Sequence, residues 1–371
     1  MAGIAWIGSR RAARWLSWMV RRFIHKAAWY FMSTLTEVSS PAIAAPSIRE
    51  PVVQVSLLSD LMELAKIRLT GMVVITTMVG FWLGGSNGIG WLKLLWVAAG
   101  TWMVAASAAT LNQLFEISRD ALMPRTANRP LPAGRILLST AIMFAIFTAG
   151  LGMAMLWLGT NPLTALLGIA NLVIYAFIYT PMKRLSTLNT LVGAVCGGIP
   201  PIMGYTAATG QLAPAAIALG VLLFVWQIPH FLALAWLYRD QYEKAGFKML
   251  PVVDQSGRFT CRMILLYSIL LIPAALAETV LGGAGIWYTV SAVLLGAVMI
   301  FLATLLLRDP SRAGARKVFL ASVIYLPLLL MAMVADTPPG AAATHGVSIQ
   351  FLGSSESSPA PVLLPALPQG K

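Results

Sequence analysis

Long apolar stretches separated by short polar ones dominate this chain. Nine of them, at residues 69–87, 91–114, 136–158, 163–181, 188–208, 213–237, 263–282, 286–307 and 316–335, are each about 19–25 residues long. A helix rising 1.5 Å per residue needs about 20 apolar residues to cross the hydrocarbon core of a bilayer. The pattern therefore predicts an all-α polytopic membrane protein, a bundle of nine transmembrane helices within residues 57–335. Residues 1–56 read as a basic amphipathic extension and linker. Residues 336–371, rich in Pro, Ala, Gly and Ser, read as a disordered tail.

The polar segments differ from one another, and the difference orients the bundle. Nine Lys and Arg precede span 1, and 4, 2, 5 and 4 follow spans 2, 4, 6 and 8. The opposite side holds only Lys93 and Lys371, whereas the turns after spans 3 and 5 carry no charge. Basic residues collect on the cytoplasmic side of membrane proteins, so the expected N-terminus is cytoplasmic and the C-terminus outside. That asymmetry also accounts for the net charge of +13. No basic domain or RNA-binding motif accompanies it, which argues against nucleic acid as a partner. The charged fraction of 11% is about half that of a soluble domain. Cys196 and Cys261 lie in or beside apolar segments without a CxxC pattern, implying neither a disulfide framework nor a cysteine metal site.

In residues 1–31, Arg10, Arg14, Arg21, Arg22, His25 and Lys26 share one helical face and Leu16, Met19, Val20 and Phe23 the other. That suits a helix lying on the lipid surface. An Arg-rich, acid-free segment equally suits a mitochondrial transit peptide, and Met32 offers a second start. The expected location is a bacterial plasma membrane, with the mitochondrial inner membrane as the alternative.

Acidic residues are few, so their placement is informative. Asn112, Glu116 and Asp120 follow one another at intervals of four where span 2 ends, which on a helix aligns three oxygen-bearing side chains in one stripe. Hard oxygen ligands in that number suit Mg²⁺, which keeps several waters and combines carboxylates with substrate phosphates. Arg125 and Arg129, just beyond, have the fork geometry to grip phosphate. The alternative is a helix end solvated by ordinary charges.

A second, weaker cluster, Arg239-Asp240-Gln241-Tyr242-Glu243-Lys244, follows span 6, and Tyr179-Thr180-Pro181-Met182-Lys183-Arg184 closes span 4. A duplicated four-helix unit would bring the ends of spans 2 and 6 face to face across a cavity. Gly197-Gly198-Ile199-Pro200-Pro201 in span 5 and Trp226-Gln227-Ile228-Pro229-His230 in span 6 are expected to disturb their helices, and such breaks in membranes line cavities. Together these parts suit the ionisation of an allylic diphosphate. Mg²⁺ and cations would receive the leaving group, and a dry cavity, with Tyr179 and Trp226 as candidate lining, would shelter the carbocation.

The stripe Asn112, Glu116 and Asp120 resembles the Asn-x-x-x-Asp/Glu-x-x-x-Asp marker of the UbiA superfamily of membrane prenyltransferases. Within it, five stretches resemble the branch that farnesylates heme. They are Met123-Pro-Arg125-Thr126 with Arg129-Pro130-Leu131, Tyr179-Thr180-Pro181 with Lys183-Arg184, Pro200-Pro201 with Gly204, Trp226 with Pro229-His230-Phe231, and Ala245-Gly246 with Met249-Leu250-Pro251. The resemblance covers about residues 57–335 and implies transfer of a farnesyl group from farnesyl diphosphate to the 2-vinyl group of heme B, with water added, to give heme O. It implies Mg²⁺ held by Asn112, Glu116, Asp120 and Asp240. It also implies a diphosphate neutralised by Arg125, Arg129, Lys183 and Arg184, a porphyrin facing His230, and substrate contacts from Tyr179, Trp226, Asp240, Tyr242 and Glu243. Candidate partners, besides the two substrates and the bilayer, are heme A synthase or terminal-oxidase assembly factors. The family's second-cluster acid directly precedes the tyrosine, and here Gln241 stands there. The alternatives are a prenyltransferase of the same superfamily acting on a quinone precursor or other aromatic acceptor, and a heme transporter or assembly protein without turnover.

Overall fold

The computed structural model describes residues 56–85, 90–281 and 284–337. The amphipathic stretch expected at 1–31 and almost all of the tail lie outside these residues. Nine of the described helices are long and apolar enough to cross a membrane, in the order that the hydropathy pattern predicts.

A short helix, α1 (Leu57–Leu64), is capped by Ser56, whose Oγ accepts the Ser59 N–H at 3.3 Å. The chain then reverses through Lys66, the one non-glycine residue with positive φ among those described (φ 49). The first span, α2 (Ile67–Gly84), comes directly after it. Next are α3 (Trp91–Asp120), α4 (Leu138–Gly159), α5 (Pro162–Leu185), α6 (Asn189–Thr209) and α7 (Pro214–Leu237). Two short helices, α8 (Arg239–Lys244) and α9 (Leu250–Val253), lead into the last three spans, α10 (Arg258–Val280), α11 (Ile286–Arg308) and α12 (Arg312–Asp336).

Several helices outrun the apolar stretches that announce them. The second span continues to Asp120 rather than ending near 114, and the seventh begins at Arg258 rather than 263. Hydropathy falls where a helix leaves the hydrocarbon, but the backbone hydrogen bonds continue.

Small residues let the spans approach. A Cβ on Gly80 would fall 1.9 Å from the Pro201 carbonyl oxygen, and one on Gly204 would fall 1.8 Å from that of Thr77. Bulk at either position would push α2 and α6 apart, which suits the preference of membrane helix interfaces for small side chains. The second half of the chain builds its own core, in which α7, α10, α11 and α12 meet around Leu222, Ile264, Tyr288, Met299 and Tyr325. The C-terminal end of α12 returns to α2, where the Trp82 indole donates to the Thr337 carbonyl at 3.0 Å. Large apolar side chains such as Met143, Ile146 and Leu158 on α4 remain exposed, as a lipid-facing surface requires.

The helix disturbances expected in spans 5 and 6 are not breaks. Both α6, with Pro200 and Pro201, and α7, with Pro229, run through without interruption. The irregularity falls in α5, where Ile174–Tyr179 widens into a π-helical turn just before Pro181. Both the backbone N–H and the hydroxyl of Thr180 reach back to the Tyr175 carbonyl, the hydroxyl at 2.9 Å. Such π turns insert one extra residue and so re-aim the side chains of the next helical turn.

Candidate active site

Because α3 stays helical to Asp120, the stripe of Asn112, Glu116 and Asp120 is held on a single rigid face. All three residues are buried, none more than 4% exposed. Buried charges need partners, and each has a different one. Glu116 receives the Lys183 ammonium at 2.9 and 3.1 Å, and Asp120 pairs with Arg129 at 2.6 Å. Asn112 accepts from Lys66 Nζ at 2.8 Å and donates to Thr180 Oγ1 at 3.2 Å.

The π turn of α5 explains how Lys183 arrives there. It is followed by a short helical segment, Thr180–Leu185, that places Lys183 across from α3, with its Nζ also 4.7 Å from the centre of the Tyr179 ring. The segment after α3 folds back over its own helix end. Thr126 Oγ1 donates to the Asp120 carbonyl at 2.8 Å, which leaves Arg129 close enough to reach the carboxylate.

The ends of spans 2 and 6 do meet, as a duplicated arrangement predicts. The Arg125 guanidinium lies over the rings of Tyr238 and Tyr242, at 4.4 and 4.6 Å. Arg119 donates to the Ala245 carbonyl at 3.0 Å, and the Lys248 N–H donates to that of Lys183 at 2.7 Å.

These elements enclose a cavity of about 430 Å³. One pole is charged, lined by Lys66, Asn112, Glu116, Asp120, Arg125, Arg129 and Lys183. The remainder is largely apolar, with Leu69, Val73, Ala105, Ala108, Phe231 and Leu234, and with Tyr175, Tyr179 and Tyr242 along the wall. Gln227 also borders it. Its Nε2 donates to the Leu223 and Ala194 carbonyls at 2.9 and 3.2 Å. Only the missing side chain of Gly197 makes room for it, since a Cβ there would lie 2.1 Å from Gln227 Oε1.

Other expected residues are not brought to this cavity. Asp240 is 63% exposed and paired with Arg312, which holds its carboxyl below the usual range. Glu243 is also exposed. The physical reason is local: α7 ends at Leu237, Tyr238 leaves the helical region (φ −107, ψ 20), and residues 239–244 restart as a separate helix. Trp226 and His230 lie on the side of α7 that faces α12. The Trp226 indole donates to the Ser322 carbonyl, and His230 Nδ1 sits 2.9 Å from Ser322 Oγ. Arg184 is partly buried and does not border the cavity either.

Sequence reading missed Tyr175 and Gln227 on the cavity wall and, at its charged pole, Lys66. Lys66 stands before span 1, where a lysine is already accounted for by membrane topology, and no local motif marks it. Only the reversal at Lys66 and the packing of α1 bring it to Asn112. Burial, with Arg129 and Lys183 close by, lowers its pKa to about 7.

The donor set fits a hard divalent cation only in company. Among the described residues no group of three or more His, Cys, Asp or Glu could hold a metal. Glu116, Asp120 and the Asn112 amide would supply two carboxylates and one neutral oxygen. Asp120 Oδ1 is buried without a hydrogen-bond partner, as a free ligand position would be. Mg²⁺ bound through one or two carboxylates takes its remaining ligands from water and substrate phosphate. Four cations around the same pole suit those phosphates.

Comparison with known proteins agrees with this geometry. Residues 73–333 match the model of the UbiA prenyltransferase family. The chain is 40% identical over 288 residues to a Solibacter usitatus protein named protoheme IX farnesyltransferase, covering 75% of this chain and 99% of that one. It is 42% identical over 273 residues to a mitochondrial protein of the same name from Arabidopsis thaliana, covering 73% of this chain and 63% of that one. Among solved structures, it superposes on one described as digeranylgeranylglyceryl phosphate synthase in membranes with a TM-score of 0.65 at 21% identity, covering 77% of this chain and 99% of that one. It also superposes on a UbiA homologue from Archaeoglobus fulgidus bound to GPP and Mg²⁺ with a TM-score of 0.54 at 15% identity, covering 75% of this chain and all of that one. The chain belongs to the UbiA prenyltransferase family.

Proposed function

We propose that this protein transfers the farnesyl group of farnesyl diphosphate to the 2-vinyl group of heme B, with addition of water, to form heme O. The observation that carries the reading is the charged pole of the cavity, where Asn112, Glu116 and Asp120 face Lys66, Arg125, Arg129 and Lys183. The names of the relatives supply the acceptor. In this reading the diphosphate lies at that pole and the isoprenoid chain in the apolar remainder.

Mg²⁺, when bound by Asn112, Glu116 and Asp120, would withdraw charge from the departing diphosphate. Lys183 and Arg129 would then turn part of their charge to phosphate oxygens, and Arg125, braced on Tyr238 and Tyr242, would add a third cation at fixed position. Tyr175, Tyr179 and Phe231 border the space where an allylic cation would form. Aromatic faces stabilise such cations, and their apolar bulk excludes stray water.

His230 serves the acceptor. It lies between Trp226 and Phe319, with ring centroids at 4.9 and 5.0 Å. Ser322 Oγ donates to the Phe319 carbonyl at 2.6 Å, so it can only accept from His230. That assigns the ring proton to Nδ1 and leaves Nε2 with its lone pair, the form in which imidazole binds iron. We also propose that this face lies on the cytoplasmic side of a bacterial plasma membrane with the C-terminus outside, a reading supported by the gathering of Lys and Arg in the loops on this side.

The test is mass analysis of heme extracted after incubating purified protein with heme B, farnesyl diphosphate and Mg²⁺. Heme O is expected, and its absence without Mg²⁺. Unchanged heme B from a folded protein that still binds farnesyl diphosphate would refute heme B as the acceptor and direct attention to a quinone precursor. Heme binding with no diphosphate release under any condition would refute catalysis.

A further inference from the structure

Lys66 reaches the cavity from an unusual position. It is the only described non-glycine residue with a left-handed backbone, a conformation that costs energy and persists only where neighbours impose it. On one side it is held by α2. On the other side stands α1, eight residues long and too short to be stable alone. What holds α1 therefore holds Lys66.

Arg135 is the principal anchor. Its Nε donates to Asp60 Oδ1 at 2.9 Å and its Nη2 to Glu63 Oε2 at 2.8 Å, both on α1. Its Nη1 donates to the Asn128 carbonyl, next to Arg129. Gly134, at φ 68, makes the turn that aims Arg135 at α1. Asp60 is 3% exposed, so without Arg135 it would be a buried charge lacking its partner. Beneath the clamp, Leu64 packs with Ile117, Leu131 and Ile136, and Gln113 donates to the Leu64 carbonyl at 2.8 Å. Arg135 itself does not border the cavity.

We infer that Arg135 is a positioning residue for prenyl diphosphate binding, clamping α1 so that Lys66 is held at the charged pole of the cavity. The inference rests on the prenyl diphosphate reading proposed above. It assigns to Arg135 an effect on binding that passes through Lys66, although Arg135 touches no substrate.

The experiment is a double-mutant cycle on the full chain in lipid nanodiscs, with farnesyl diphosphate, heme B and Mg²⁺. Arg135→Ala and Lys66→Ala should each raise KM for farnesyl diphosphate about tenfold with kcat changed less than about twofold, and together they should still cost about tenfold, since coupled residues are non-additive. Arg135→Lys, which keeps the charge but not the fork, should recover part of the loss and serves as the variant if Arg135→Ala does not fold. Amide exchange across residues 57–66 should quicken in Arg135→Ala and stay unchanged in Lys66→Ala. A double variant about a hundredfold worse, as independent sites give, would overturn the inference, as would unchanged exchange in folded Arg135→Ala. Wild-type protein that transfers no prenyl group would instead refute the proposed function, and the exchange measurement would still decide whether Arg135 holds α1.

Discussion

The ends of spans 2 and 6 carry similar residues and have different fates. After span 2, Asn112, Glu116 and Asp120 lie on an unbroken helix and are buried beside Lys66, Lys183 and Arg129. After span 6, the helix stops at Leu237, and the acids of the next segment, Asp240 and Glu243, face outward. A stripe at intervals of four is preserved only while the backbone keeps its 100° step. One residue outside the helical region, Tyr238, is enough to turn the second cluster away. What this end supplies to the cavity is aromatic: Tyr242 and Phe247 border it, and Tyr238 and Tyr242 carry Arg125.

The most direct test of that contrast is to remove one acid from each end. Asp120→Ala should lower prenyl transfer by a factor of about 10³ or more, since it removes both a metal ligand and the partner of Arg129. Asp240→Ala should leave the rate within about threefold, as an exposed ion pair contributes little. Steady-state turnover of both variants in one lipid system checks this. Comparable losses would mean that the second acid moves into the site during turnover.

Lys183→Ala comes next. It leaves Glu116 buried without its ammonium, and breaking a buried pair from one side costs about 3–5 kcal/mol. Thermal unfolding in detergent should show that loss, and Glu116→Gln combined with Lys183→Met should restore most of it. His230→Ala should weaken heme affinity by about tenfold, the loss of about one ligand or stacking contact, and leave farnesyl diphosphate affinity unchanged. Separate binding titrations resolve the two.

A separate test concerns Lys66 and pH. Its pKa of about 7 lies below the ordinary lysine value of 10.5, so the folded protein sheds this proton before the unfolded chain does. The resulting destabilisation is complete below pH 7 and fades as pH rises towards 10.5. Lys66→Met should therefore unfold at a higher temperature than wild type below pH 7, and the two should converge above pH 10. The same variant should bind farnesyl diphosphate more weakly. A residue that lowers stability while strengthening binding is kept for the site, which is the opposite of an ordinary anchor.

The nine spans, their order and the charged stripe of span 2 were legible in the chain itself. Runs of about 20 apolar residues have few other solutions in a bilayer, and a four-residue spacing has one meaning on a helix. The aromatic and basic residues around Tyr179 and Lys183 were legible as candidates, because cations and aromatic rings at a membrane edge are conspicuous. Lys66, Gln227 and the turning away of Asp240 were not. Each depends on where a helix ends or what a neighbouring backbone allows: the left-handed turn before α2, the bare Gly197 opposite Gln227, and the break at Tyr238.

Residue type alone dictates what must be buried and what must stay wet, because hydrophobic transfer and the satisfaction of backbone hydrogen bonds act on every residue in the chain. Which charges meet is settled only by tertiary packing. Asn112 and Lys66 are 46 positions apart and Glu116 and Lys183 are 67 apart, separations at which no local pattern survives. Their meeting is set by how the close-packed spans fit, through contacts such as Gly80 with Pro201 and Gly204 with Thr77. A buried ion is tolerated only where that fit delivers its partner within hydrogen-bonding distance.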